Sequence, residues 1–168
     1  MRSLVLALST ALTMLAPGMA LADELAQPTG PVLLTVKGNI ANTNADGAAE
    51  FDLAMIDALD QRTTLTETPW YDGAESFSGP LAAALFEAVG AEGSMVTVTA
   101  LNDYSAEVPM SDFLDHPVIF ASRLDGDELS IRDKGPLFLI YPFDTEPDLY
   151  NEVYFGRSVW QITSITVH

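Results

Sequence analysis

MVTVTALNDYSAEV, residues 95–108, decides how the chain folds. From Met95 to Leu101 apolar and polar side chains alternate with period two, the pattern of a strand with one face in a core and one in water. Asn102-Asp103 is a tight-turn signal, and Tyr104 to Val108 is a second run able to pair back on the first. A hairpin here makes the second half of the chain mostly sheet. Val118 to Leu124 extends that reading, because it runs into Asp125-Gly126, a dipeptide suited to the positive φ angles of a hairpin turn. Leu137 to Tyr141 is a continuous apolar run expected as a central strand, stopped by Pro142, and Val159 to Val167 closes the chain with period-two alternation.

The first half mixes both periodicities. VLLTVKGNI, residues 32–40, reads as a strand ending in a Gly-Asn turn. Asp52 to Leu59 places Leu53, Ile56 and Leu59 at helical spacing behind an aspartate suited to capping. Arg62 to Thr68 alternates as a strand. Ser78-Gly79-Pro80 reads as the opening of a helix with proline at its first position, with Leu81, Leu85 and Val89 on one side and Gly90 at its end. Many short strands with two or three short peripheral helices make an α+β domain, mostly β. No repeat or long linker divides the chain, so residues 23–168 are expected to form one domain.

Residues 1–22 read as a signal peptide: Arg2 is the positive start, LVLALSTALTMLA is an apolar core too short to span a bilayer, and Ala20-Leu21-Ala22 is a small-x-small cleavage site. The expected location is periplasmic or secreted, with no membrane insertion after cleavage. Losing Arg2 from the 7 basic residues leaves 6 against 24 acidic ones, a side-chain charge of −18. Such a charge repels nucleic acid and anionic membranes at long range and favours cationic partners or divalent ions. The sequence has no cysteine. That excludes thiolate catalysis, iron–sulfur clusters, c-type haem and cysteine-ligated metals.

Other chemistries find little support. The only histidines are His116, before Pro117, and His168, and no Gly-x-Ser-x-Gly elbow is present. Asn42 to Gly47 resembles the first half of an EF-hand loop, but the twelfth position is Leu53 rather than a bidentate acid. An Asx-rich turn between strand and helix accounts for the same residues. The scarce cations are more informative: Arg123, Arg132, Lys134 and Arg157 are four of the six left after cleavage, and all fall late in the chain. Two readings stand. Arg132, Lys134 and Arg157 converge on one electropositive spot, with Ser158 beside a guanidinium suited to phosphate, or each cation pairs with a nearby acid such as Asp125, Asp127, Asp133 or Asp144.

The order of segments resembles the molybdopterin-binding domain of sulfite-oxidase-type oxidoreductases. VLLTVKGNI is similar to that family's first strand, FSGPLAAALFEAVGA to its Gly-x-Pro-Leu segment and helix, and VTVTALNDYSAEVPMSD to its strands around an Asp-Gly-Tyr turn. FASRLDGDELSIRDKGPLFLIYPFD resembles the hairpin, loop and Pro-Leu strand that follow, and GRSVWQITSITV the closing Lys-Ser-Val-Lys-Trp segment. The resemblance runs from about Pro31 to Val167. It implies that Arg157 and Ser158 stand where the family holds the phosphate end of its cofactor, with Arg132 and Lys134 in the bordering loop. Two departures matter. Trp160 stands where the family has a second lysine, and in TTLTETPWYDG the neighbourhood of the molybdenum-ligating cysteine holds Thr66, Glu67 and Thr68. Hydroxyl and carboxylate oxygens are harder donors than a thiolate and do not reproduce its electronic role.

The leading expectation is therefore an exported, non-catalytic, molybdopterin-oxidoreductase-like domain with no bound cofactor, taking a small anion or a periplasmic protein partner at Arg157, Ser158, Arg132 and Lys134. One alternative is a divergent molybdopterin-dependent oxidoreductase with an oxygen ligand such as Glu67. Another is a structural domain whose pocket is filled by Trp70, Tyr141 and Trp160.

Overall fold

A computed structural model describes residues 25–168, and the signal-peptide reading of residues 1–22 lies outside them. In chain order the elements of the first half are β1 (Leu34–Gly38), β2 (Ala48–Phe51), α1 (Leu53–Ala58), β3 (Gln61–Glu67), β4 (Ala74–Pro80) and α2 (Ala82–Ala88). The second half contains β5 (Met95–Ala100), β6 (Ser105–Pro109), α3 (Met110–Asp115), β7 (Ile119–Ala121), β8 (Arg123–Leu124), β9 (Asp127–Glu128), β10 (Phe138–Ile140), α4 (Glu152–Arg157) and β11 (Ile162–Val167). The protein is α+β, with more strand than helix. No helix among the described residues is long and apolar enough to cross a membrane.

The quoted hairpin forms, its turn spanning residues 101–103, one longer than Asn102-Asp103, with the Ala100 N–H donating to the Tyr104 carbonyl at 2.8 Å. Val96 sits opposite Val108 and Val98 opposite Ala106, which turns Val96, Val98 and Ala100 into the core while the threonines between them face outward. Asp103 takes a φ of 65°, a left-handed conformation that aspartate tolerates in a turn. This hairpin is one edge of a five-stranded sheet ordered β2-β1-β11-β5-β6. Strand β11 runs parallel to β1 and antiparallel to β5, so the closing strand sits in the middle. A four-stranded antiparallel sheet, β3-β4-β8-β9, and the ribbon β10-β7 complete the framework. Asp125 and Gly126 join β8 to β9 with φ values of 51° and 91°, the expected hairpin turn.

Four sequence readings need correction. Ser78-Gly79-Pro80 ends strand β4 instead of opening a helix, and α2 starts only at Ala82. Glycine is needed there because a Cβ at Gly79 would collide with the Phe120 carbonyl oxygen. The run Leu137–Tyr141 is wholly buried, as its apolarity demands, but β10 within it forms a ladder with β7 and a single bridge from Phe138 to Trp160, and is not a central strand. Among the described residues four α-helices form rather than two or three, α3 and α4 being the ones without a sequence signal. The Asx-rich turn lies between two strands, because β2 precedes α1. There the Asn44 side chain donates to the carbonyls of Ala26 (2.6 Å) and Glu50 (2.9 Å) and accepts from the Glu50 N–H (2.7 Å), a wholly structural use of the asparagine.

Two apolar clusters hold these layers together. The larger lies on the five-stranded sheet and includes Val36, Phe51, Leu85, Phe113 and Ile165. The smaller, around Phe77, Ile119, Phe138 and Ile140, carries Trp70 and Tyr71 on its margin. That margin is where the candidate site begins.

Candidate functional site around the closing segment

Asn151 caps α4, accepting the Val153 N–H at 3.0 Å, and the helix ends at Arg157 with Ser158 as its C-cap. Its short length turns Arg157 toward α3. The Arg157 guanidinium donates to Asp112 Oδ2 at 2.8 Å, and the Tyr141 hydroxyl donates to the same oxygen at 2.8 Å. The Asp112 side chain is 8% exposed and that of Arg157 24%, so the pair is largely out of water. A carboxylate in that setting needs both donors, because an unpaired buried charge is far costlier than a paired one. Burial, and next the Asp112 charge, push the Tyr141 phenol well above the ordinary tyrosine range. Arg157 also stacks against the Tyr154 ring, 5.3 Å from its centroid. Ser158 is buried and donates to the Tyr154 carbonyl at 2.8 Å.

Arg132 and Lys134 lie in and just after a short 3-10 turn, Ile131–Asp133. Lys134 has a φ of 71° and carries its ammonium over the Tyr71 ring, 4.2 Å from the centroid. The loop is tied to the closing segment through Gln161, whose N–H donates to the Lys134 carbonyl (2.9 Å) and whose side chain donates to the Ile131 carbonyl (2.8 Å). The loop is thus joined to the closing segment at Gln161, but the cations do not converge: Arg157 turns to Asp112 and Lys134 to Tyr71. Arg123 pairs with Asp57 through two bonds of 2.6 and 2.7 Å. Arg157 and Arg123 do pair with acids, though with Asp112 and Asp57 rather than the nearer ones in sequence. The two histidines are also engaged, His116 with Glu146 and His168 with the Thr97 hydroxyl.

Beside these contacts opens a cleft of ≈ 420 Å³ walled by Trp70, Tyr104, Phe155 and Trp160. Trp70 meets Trp160 edge-to-face at 5.8 Å and Phe155 at 6.0 Å, so the three rings stand at steep angles to one another. Tyr104 comes from the β5–β6 turn, and its hydroxyl donates to the Gly156 carbonyl at 3.3 Å. Ser158 and Asn102 also line the cleft, and Glu152 is its one charged lining residue. Neither tryptophan is wholly buried, and both tryptophans of the chain are here. Sequence reading missed Asp112 and Glu152 because α3 and α4 were unassigned. The Asn102-Asp103-Tyr104 turn was the available pointer to Tyr104.

A second depression, of ≈ 570 Å³, is lined by Thr66, Glu67, Phe143, Asp144 and Tyr150. Alternation along β3 and past its end buries Thr64, Thr66 and Thr68 and leaves Glu67 exposed. Thr66 donates to the Glu67 carbonyl at 3.1 Å, while the buried Thr68 hydroxyl has no hydrogen-bond partner among the described residues. No group of three or more His, Cys, Asp or Glu side chains is arranged to hold a metal among the described residues.

The arrangement is that of an α+β domain with an aromatic cleft beside its closing segment. The chain is similar in structure to the sulfane dehydrogenase SoxCD from Paracoccus pantotrophus, with a TM-score of 0.59 and 13% identity over 80% of this chain. It spans 37% of that chain's length, and at this identity the likeness is one of fold alone. No family model and no curated protein matches the sequence.

The side chains do not fit a molybdenum–pterin group. The Arg157 charge is already matched by Asp112, a carboxylate lines the cleft, and the sequence has no cysteine to offer a soft thiolate.

Proposed function

We propose that this protein is an exported, non-catalytic binding module built on a molybdopterin-oxidoreductase-like fold. Its binding site is the aromatic cleft beside the closing segment. The observation that carries the reading is the pairing of Arg157 with Asp112: the cation expected to meet a cofactor phosphate is engaged inside the protein, while Trp70, Tyr104 and Trp160 still line an open cleft. Pockets with aromatic walls and few polar groups suit small ligands. The same pairing counts against the small-anion version of the reading and leaves the partner-binding version better supported.

The test is to purify the protein from the periplasm of a host that makes molybdopterin, then to measure molybdenum and oxidised-pterin fluorescence after denaturation. The expected protein carries neither in stoichiometric amount. Stoichiometric pterin with molybdenum would overturn the reading and favour a divergent oxidoreductase.

A second reading, a structural domain with a filled pocket, draws on the complete burial of Tyr141 and the packing of Trp70 on Phe138 at 5.3 Å. Acrylamide quenching separates the two. An open cleft predicts that both tryptophans are quenched in the native protein; emission that resists acrylamide supports the filled pocket.

A further inference from the structure

We propose that the cleft accepts a small organic cation, specifically an alkylammonium group. The inference rests on the binding-module reading and names its ligand class. Its walls are built from Trp70, Tyr104, Phe155 and Trp160, and aromatic rings attract a cation through their quadrupoles, tryptophan most strongly. Glu152, exposed in the first turn of α4, is the only charged side chain lining the cleft. An anion entering here meets a carboxylate, and it cannot use Arg157 without breaking the 2.8 Å bond to Asp112. Long-range attraction agrees with the local chemistry, since the formal charge of −17 draws cations toward the surface. Exposure permits entry: Trp160 is 39% and Tyr104 53% exposed, and Tyr104 is anchored to the Gly156 carbonyl rather than lying across the opening freely.

The two tryptophans make the protein its own reporter. Choline is titrated against tryptophan emission at low salt, with 3,3-dimethylbutanol, its uncharged isostere, and inorganic phosphate in parallel. A saturable change with choline is expected, with half-saturation on the order of 1 mM, the range that a few cation–π contacts support. The neutral isostere should bind about ten-fold more weakly, because shape and apolar area are kept while the charge is lost. Glu152→Gln should weaken choline by about five-fold with an unchanged circular dichroism spectrum, and added salt should reduce the difference between variant and parent.

Equal binding of choline and its isostere overturns the cation proposal and leaves an apolar binding site. Phosphate binding without choline binding also overturns it and returns the site to an anion. No response to any of the three, together with resistance to acrylamide, rejects the binding-module reading itself.

Discussion

Two nearly buried carboxylates, Asp52 and Asp112, are stabilised in opposite ways. Asp52 is held by its neighbourhood's backbone: it accepts the N–H groups of Thr29 (2.7 Å), Gly30 (2.8 Å) and Met55 (2.9 Å), and so caps α1 while pinning the segment before β1. Asp112 is held by two side chains, from residues 29 and 45 positions away in sequence. The first arrangement uses main-chain donors, one within α1 and two from residues 22 and 23 positions away, and leaves no cation engaged. The second depends on α3, α4 and the buried run around β10 all being in place, and it takes the guanidinium that the closing segment offers. A change of side chain other than to proline leaves a backbone donor in place, whereas truncating a distant side chain removes its donor outright. The two centres should therefore respond very differently to substitution.

The largest effect is expected at Arg157. Arg157→Ala leaves the Asp112 carboxylate in a largely dry site with only the Tyr141 hydroxyl, at a cost of about 3 kcal/mol. Urea unfolding should show a lower midpoint with an unchanged m-value. Arg157→Ala combined with Asp112→Asn should recover part of the loss, because the uncompensated charge has gone. A variant as stable as the parent would mean that the ion pair is open in solution and that Arg157 is free to meet an anion.

Asp52 comes next. Its carboxyl is held down to about 2 from 3.8 by the three backbone N–H groups, Met55 first. A depressed value in the folded state stabilises the fold above the unfolded value, and that contribution is lost as pH falls from about 3.8 towards 2. Asp52→Asn should lower the melting temperature by a few degrees at pH 7 and flatten the loss of stability across that acid window. An acid limb identical in parent and variant would show that other carboxylates set it.

The same contrast explains how much was legible in the sequence. Asp52 before Leu53, Ile56 and Leu59 announced both a cap and a helix, since capping is a local relation. The hairpin from Met95 to Val108 was legible for the same reason, its alternation and turn lying within one short stretch. Strand β4 was hidden, because Glu75, Ser76 and Ser78 have little strand character and acquire it only by pairing with β3 along seven residues. Gly79 resembled a helix boundary, although its constraint comes from the distant Phe120 backbone. At the site, the adjacency of Arg157 and Ser158 in the closing segment was legible. Their engagement was not, because nothing local points from Arg157 to Asp112. A partner 45 positions away on an unassigned helix becomes visible only when the chain is folded.

The smallest and sharpest effect is expected at Tyr141. Tyr141→Phe removes one donor from Asp112 while the Arg157 bond remains, and the phenyl ring keeps the packing, so the cost should be about 1 kcal/mol. Its titration is the more decisive measurement. A phenol raised above its unfolded value contributes stability that is complete below about pH 10 and is lost as pH rises beyond it. Tyr141 should therefore stay protonated while the fold survives, and ionise only on unfolding. Of the five tyrosines, Tyr71 is also raised, chiefly by burial. Ultraviolet titration of the native parent to pH 11 and of Tyr141→Phe should then coincide, whereas in denaturant the variant should lack one tyrosinate. A native parent that shows one tyrosinate more than the variant at pH 11 would mean that water reaches the Asp112 centre. The contrast between a backbone-satisfied carboxylate and a side-chain-satisfied one would then be lost.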